Sequence, residues 1–515
     1  MTVWYFSDSI GVDAAGYGLT PEMPFKTLLY AYIAQSEGDT LRFKAGDTWR
    51  ETFYTNVPGV TVEPYGEGSP PIFSGGELKT GWTFFDDGWW YLVSPSCGVV
   101  TEDGYPLTFL EWDTDFFTTT ANSKEGSYCY WPGANILYVK CSDSGDPNTK
   151  TIEAAERDYC AHITHDDFSI SGINTEYGGF VNFLIENCKN TTVDSMSCNL
   201  AGGRFVTELG VYIGNGLQMG DGSKSVTVNN VSFDHIFDTA ISPQTYNDNA
   251  VIDNININNI TAKRCGYAGL EIAVTGSTAN STIKNVEAKS LNISASGFGF
   301  SGIRYGNKGT GIHIETPELV DNSFLENIKI NKAVVKGSAN YGLFCFERVG
   351  RVSVTDSTII NNKVGIVSGA LSQKNKGGLF LAKNDIIQNV EQGLLFSNAD
   401  GLGAVLKRNI ISGNGYQGKN NVEFIETNRF AKNLNSRNKY VSQSKNSAFF
   451  STETINENEH EDNIYYQAGS FDPVSIFGTS YNESTQEKFK SDSGDLDAKI
   501  ENQNPIRLHR EMPKS

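Results

Sequence analysis

The chain has 515 residues, 60 of them Asp or Glu and 41 Lys or Arg, for a formal charge of −19 at pH 7. That balance speaks against a nucleic-acid partner, because phosphate binding rests on clustered Lys and Arg. The 52 Gly, 15 Pro and 20% charged residues fit a folded chain with many tight turns, not a disordered one, and no apolar run is long enough to cross a membrane.

In chain order, Met1 is followed at once by the strand-like Thr2-Val3-Trp4-Tyr5-Phe6, without the apolar core of a secretory signal. The expected location is extracellular or virion-associated, reached by another route. A Gly-rich loop leads through Pro24-Phe25-Lys26-Thr27-Leu28 into a helical run ending at Glu37, and then into Thr40-Leu41-Arg42-Phe43-Lys44. An amphipathic helix with Leu28, Leu29 and Ile33 turned inward would cover the open first coil of a repeat structure. This string, together with Val62-Glu63-Pro64-Tyr65 and Pro70-Pro71-Ile72, resembles the entrance and second coil of the right-handed parallel β-helix proteins of the pectin-lyase-like superfamily. The resemblance continues through most of the chain. It implies an all-β solenoid with an N-terminal capping helix and a small β-rich insertion. It also implies a role drawn from polysaccharide lyases, glycosidases, epimerases and phage tailspikes, with a homotrimer as a candidate assembly. The boundaries expected are 1–77 for the cap and first coils, 78–156 for the insertion, 157–430 for the solenoid, 431–505 for the last coils and 506–515 for a tail.

The 78–156 stretch breaks the pattern around it. It is rich in aromatic residues (Trp82, Phe84, Trp89, Trp90, Tyr91, Trp112, Tyr130, Trp131, Tyr138), with a hairpin turn expected at Asp103-Gly104. Most of these rings are expected to form the insertion's own core, although aromatic platforms also stack on sugars. The string Asn135-Ile136-Leu137-Tyr138-Val139 is read as the strand that returns the chain to the solenoid.

Between 211 and 397 one phrase recurs: a small residue, an aliphatic, a variable residue and usually another small or apolar one. It reads Gly216-Leu217-Gln218-Met219, Ala240-Ile241-Ser242-Pro243, Gly269-Leu270-Glu271-Ile272, Gly311-Ile312-His313-Ile314, Gly342-Leu343-Phe344-Cys345, Gly365-Ile366-Val367-Ser368 and Gly393-Leu394-Leu395-Phe396. Recurrence every few tens of residues marks a repeat architecture, and the period-two strings between the phrases read as half-buried strands. Stacked coils about 4.8 Å apart turn equivalent positions into columns. The aliphatics form an inner column. The outward column runs Gln218, Ser242, Glu271, His313, Phe344, Val367, Leu395, polar early and apolar late. Asn254, Asn256, Asn258 and Asn259 read as stacked turn ladders, and the eight cysteines, without a CxxC or metal-ligand spacing, as inward free thiols.

The polar half of the column locates the candidate chemistry between 204 and 315. Glu271 and Glu315, with His313 between them in sequence, offer the two carboxylates of a glycosidase, and Asp238 is a further acidic candidate. Gln218, Gln244, Arg204, His235, Arg264, Tyr267, Arg304 and Tyr305 are the candidate substrate contacts. Elimination would instead require a cation against a uronate and a base, for which Arg204, Arg264, Arg304, His235 and Tyr267 are available. Any single such residue is as readily a solvated turn residue; the cluster as a whole is what points to function. Lyases of the resembled group often hold calcium with clustered carboxylates, yet no tight acidic motif here matches such a site, so no cofactor is expected, with calcium the one candidate. The expected partner is an extended polysaccharide. The leading expectation is glycoside hydrolysis, followed by a polysaccharide lyase and, from another class, a non-catalytic virion or surface protein of tailspike type.

Overall fold

In the computed structural model the described residues run from 1 to 412, less 95–96, 114–115, 119–123, 208–209, 276–278, 302–308, 317–321, 348, 371–377 and 400–403, and beyond 412 comprise Asn414 and the strand residues between 422 and 502. They divide into two compact units, Met1–Thr310 and Gly311–Ser515. The expected tail at 506–515 lies outside the described residues.

In the first unit two ladders carry the solenoid. One joins Val3–Phe6, Thr40–Lys44, Thr61–Tyr65, Ser169–Ser171, Lys189–Ala201, Lys224–Ile236, Val251–Lys263 and Thr282–Ser294, each parallel to the next. The other joins Phe53–Tyr54, Tyr159–Ile163, Val181–Ile185, Asn215–Met219, Thr239–Thr245 and Ala268–Val274, again all parallel. Parallel strands linked without intervening helices are the coils of a parallel β-helix, as the sequence led us to expect. Leu217, Ile241 and Leu270 stand in register and are fully buried, which is the inner column.

The small residue of the phrase has a steric cause. A Cβ added at Gly269 would lie 2.4 Å from Ile293 Cγ2, and one at Gly216 would lie 2.6 Å from both the Ala240 carbonyl and the Phe233 ring. The backbone bends where a β-branched or aromatic side chain of the facing sheet already fills the corner. The turns have an equally regular cause. Asn190, Ser225, Asn254 and Asn285 form one column, Ser195, Asn230, Asn259 and Ser290 a second, and Leu200, His235, Arg264 and Ala295 a third, all with φ between 51° and 59°. Asn tolerates this left-handed region better than most residues, which explains much of the Asn-rich composition. Asn258 Nδ2 donates to Asn229 Oδ1 at 3.0 Å and Asn259 Nδ2 to Asn230 Oδ1 at 2.6 Å, so the expected ladder is present at these positions.

The insertion consists mainly of antiparallel strands, with one parallel pair between Thr108–Phe109 and Ser127–Trp131. Asp103 and Gly104, at φ 50° and 82°, close the expected two-residue hairpin between Val100–Glu102 and Tyr105–Pro106. Ile136–Lys140 does not return the chain to the solenoid, contrary to expectation: it lies inside a sheet of the insertion, between Ser127–Trp131 and Trp89–Val93. Its alternation fills both faces of that sheet, with Leu137 and Val139 in one core and Tyr138 in another. The return is made by Tyr159–Ile163. Trp82, Trp89, Tyr130 and Tyr138 are buried, and Trp90, Tyr91, Trp112 and Trp131 pack partly buried against the same cores, so most of the aromatic residues are core. All eight cysteines are buried free thiols.

The helix of the N-terminal stretch spans Leu28–Ala34, with Thr27 as its N-cap. Only Leu28 and Ala31 are buried, whereas Leu29 and Ile33, expected inward, are 61% and 62% exposed. Seven residues give a single inward line of i and i+3 positions, and Leu29 and Ile33 fall off it.

In the second unit Leu343, Ile366 and Leu394 are in register and buried, with Phe344, Val367 and Leu395 matched beside them. Buried asparagines here run along the stack: Asn362 Nδ2 donates to Asn389 Oδ1 at 3.1 Å, and Asn389 Nδ2 to Asn414 Oδ1 at 2.8 Å. Lys439–Ser442 pairs with Ile464–Gln467, and the latter continues to Lys499–Asn502.

Two substitutions test this packing. Leu270→Ala is expected to destabilise by about 2–5 kcal/mol, the range for a truncated buried leucine. Gly269→Val should lower the unfolding midpoint clearly as well, because its side chain meets Ile293. Denaturant unfolding followed by far-UV circular dichroism checks both; midpoints equal to that of the parent protein would refute the column.

Candidate functional site

The outward face of the shorter ladder in the first unit carries three aligned rows. The central row is Tyr54, His162, Leu184, Gln218 and Ser242, with Glu271 following because Ile241 pairs with Leu270. Flanking it on one side are Tyr159, Val181, Asn215, Thr239 and Ala268, and on the other Glu186, Gly220, Gln244 and Ala273.

These side chains are tied into one network. Thr239 Oγ1 donates to Glu271 Oε2 at 3.2 Å, and Ser242 Oγ stands 3.5 Å from the same oxygen. Asn215 receives the Thr239 amide on its Oδ1 and donates through Nδ2 to Gln218 Oε1 at 3.2 Å. Gln218 Nε2 donates to Gln244 Oε1 at 3.3 Å and to the Tyr246 hydroxyl. Asp221 fixes the Tyr246 turn by accepting from the backbone amides of Tyr246 and Asn247, at 3.0 and 3.1 Å, and from Asn247 Nδ2. Burial of the Tyr246 hydroxyl beside Asp221 and Glu186 raises its pKa well above that of an ordinary phenol. At the other end His162 Nε2 meets Glu186 Oε1 at 2.8 Å, and its ring lies between those of Tyr159 and Tyr54, with centroids 4.9 and 6.0 Å away.

Outward is not the same as exposed. Gln218 is 3% exposed and Ser242 fully buried, because their neighbours in the network cover them. Glu271 is only half-buried, so the carboxylate is the member of the central row between Gln218 and Glu271 that reaches solvent most.

Two of the candidate cations, Arg264 and Arg204, are committed to carboxylates. Arg264 grips Asp234 through two nitrogens, with Nε donating to Oδ1 at 2.7 Å, and Arg204 pairs with Asp158. His235 Nδ1 lies 3.2 Å from Asp234, at the left-handed corner near the end of its strand, and the imidazole pKa is lowered chiefly by burial, with Arg264 adding to the effect. Asp238 and Tyr267 are joined through their backbones, the Tyr267 amide donating to the Asp238 carbonyl at 2.9 Å. Arg304 and Tyr305 lie outside the described residues.

Glu271 belongs to the first unit, His313 and Glu315 to the second. In the second unit His313 Nε2 meets Glu315 Oε2 at 2.9 Å and its ring stacks on Phe344 at 4.9 Å. His313 is 5% exposed. Among the described residues no group of three or more His, Cys, Asp or Glu side chains could hold a metal ion.

The sequence reading missed Tyr54, Tyr159, His162, Glu186, Asn215, Thr239 and Tyr246. It followed a phrase that begins on a small residue, whereas Val181–Ile185 has Asn182 at that position. There Asn182 accepts from the Gly178 amide at 2.6 Å and donates to the Thr175 and Asn199 carbonyls. The signal available was the alternation itself, which Asn182-Phe183-Leu184-Ile185 keeps without the glycine.

No protein-family model and no curated relative matches this chain. Among solved structures it is similar to XylC in complex with xylose, at 12% identity and a TM-score of 0.50 over 93% of this chain and 85% of that one. It is also similar to a glycoside hydrolase, at 9% identity and a TM-score of 0.40 over 91% and 94% of the two chains, and to an alginate lyase from Paenibacillus sp. str. FPU-7, at 12% and 0.37 over 76% and 97%. The first is a likeness of fold. No helix among the described residues is long and apolar enough to cross a membrane.

The state of His235 predicts a pH dependence of stability. Its folded pKa is below the ordinary 6.5, so between those two values the unfolded chain binds more protons, and stability falls as the pH drops through that window. Above 6.5 the contribution is absent. Asn suits the left-handed backbone of this position and does not titrate, so His235→Asn should flatten the decline in melting temperature between about pH 8 and about pH 5. Superimposable pH profiles for the two proteins would refute this.

Proposed function

We propose that this protein binds an extended neutral glycan along the outward face from Tyr54 to Glu271 and hydrolyses it, with Glu271 as the carboxylate at the reacting sugar. The observation that carries the reading is the position of Glu271. It stands last in the central row of the first unit, after Gln218 and Ser242, is half-buried, and is held by the hydroxyls of Thr239 and Ser242. The half-buried His162 imidazole and Gln244 amide suit the hydroxyls of a sugar chain, and the rings of Tyr54, Tyr159 and Tyr246 offer faces for stacking. XylC and the glycoside hydrolase among the similar structures are named for such ligands or reactions, which agrees with the reading.

Hydrolysis needs a second carboxylate. Within the first unit we assign it to Asp238, whose chain neighbour Thr239 already touches Glu271. Hydrolysis is favoured over elimination because Arg204 and Arg264, which would have to neutralise a uronate, are each paired with an aspartate. A cation so committed gains less from a substrate carboxylate than an open one. In this mechanism one carboxyl group acts on the leaving oxygen and the other on the anomeric carbon or on a water; Thr239 and Ser242 keep Glu271 in a single orientation.

Assays on a panel of neutral and acidic polysaccharides test this. Glu271→Gln should reduce the release of saturated reducing ends by about 100-fold or more while leaving the melting curve almost unchanged. Arg264→Ala should keep most of the activity on a neutral glycan. Ultraviolet-absorbing unsaturated ends, or activity that survives Glu271→Gln but not Arg264→Ala, would assign a lyase. Binding to glycans without any new ends would favour the tailspike-like structural reading.

A further inference from the structure

The central row does not run off the first coil freely. It meets the helix Leu28–Ala34, and the two enclose a groove of about 770 Å³, within the usual range of small-molecule sites. The helix contributes Leu28, Leu29 and Tyr32, and the coils contribute Tyr54, Thr55, His162 and His165 among others.

The groove is built to keep its shape. Gln35 Nε2 donates to the Tyr54 carbonyl at 2.9 Å and Asn56 Nδ2 to the Tyr32 carbonyl at 2.7 Å, tying helix and strand together across its floor. His165 Nδ1 lies 3.2 Å from the hydroxyls of both Thr55 and Thr164, and His162 is fixed by Glu186. Tyr32 and Tyr54, each 43% exposed, present ring faces. The charges at its edge are used internally. Glu51 accepts from the amides of Leu28 and Leu29 at 3.1 and 3.3 Å, and Arg157 pairs with Glu77. What remains for a ligand is aromatic surface, imidazole and hydroxyl, the chemistry that recognises a neutral sugar rather than an ion.

We propose that the groove is an anchoring subsite for one end of the glycan chain, so that the distance from the groove to Glu271 fixes the length of the product. The inference rests on the glycan reading of this face. Five coil-to-coil steps separate Tyr54 from Glu271 along the central row, roughly 24 Å at about 4.8 Å per step. A short oligosaccharide spans that distance and a disaccharide does not. The helix closes the row beyond Tyr54, so the chain ends in the groove.

The test uses the full-length protein with β-1,4-linked glucan, xylan and mannan chains. The wild type should release one dominant oligosaccharide length from the earliest time points, with little mono- or disaccharide. Tyr32→Ala and Tyr54→Ala, at exposed positions that leave the melting curve in place, should each lower kcat/KM about tenfold and scatter the product lengths. Fragments of random length from the wild type, or variants with an unchanged product pattern, would overturn the inference while leaving hydrolysis standing. If no chain is cleaved, calorimetric titration of the wild type and the two tyrosine variants with hexasaccharides of the same three glycans decides the matter separately. Binding weakened about tenfold or more in both variants upholds the subsite although the hydrolytic reading has failed; equal binding by all three proteins, or none by the wild type, overturns it.

Discussion

The parallel register of successive coils is the constraint on which the rest of the structure depends. Each residue in a coil sits over its counterpart in the next at about 4.8 Å, so a side chain must suit the sheet it belongs to and also the copy of its position above and below. Aliphatics satisfy this easily, and Leu217, Ile241 and Leu270 are fully buried in line. Amides satisfy it too, since each carries a donor and an acceptor and can pass a hydrogen bond along the stack, as Asn362, Asn389 and Asn414 do. Where two sheets converge a larger side chain would collide with its neighbours, as at Gly216 and Gly269.

This constraint explains what could be read in the sequence. The phrase beginning on a small residue, the inner aliphatic column and the register of the outward column all follow from stacking, and each was visible because stacking repeats it. The asparagines were also visible, although half of their cause was not: Asn230, Asn254, Asn259 and Asn285 occupy left-handed corners, a backbone requirement that composition suggests without locating. Features that occur once were harder to place. Leu29 and Ile33 looked inward because helical periodicity was counted over a longer run than the seven residues that form. Ile136–Lys140 looked like a solenoid strand because an antiparallel sheet with a core on each face also alternates.

The candidate site divides in the same way. Gln218, Ser242 and Glu271 were legible as one column, while the residues that make them a site lie in neighbouring rows and on loops of no fixed period. Tyr246 reaches Gln218 from beyond the end of its strand and is placed by Asp221. His162 and Glu186 meet across coils 24 residues apart in sequence. Contacts of this kind are set by coil length, which the insertion and the loops vary independently of the repeat, so sequence spacing alone does not reveal them.

Stacking also limits where charge can be placed on this face, and that limit bears on its chemistry. Two like charges about 4 Å apart repel by about 1 kcal/mol in water and about 4 kcal/mol near a protein surface, so a column of carboxylates on successive coils would need cations to hold it together. Along the central row the chain instead places Gln218 and Ser242 before Glu271, and Gly220, Gln244 and Ala273 follow Glu186 in the row beside it. Neutral groups thus separate Glu186 from Glu271, and Asp221, which lies between their coils, is held in place by hydrogen bonds from Tyr246 and Asn247. Glu271 is therefore a carboxylate set among the hydroxyl dipoles of Thr239 and Ser242. The arginines, by contrast, are bound to aspartates at the corner after the longer strands. A face arranged in this way suits a ligand that offers many hydroxyls and little charge.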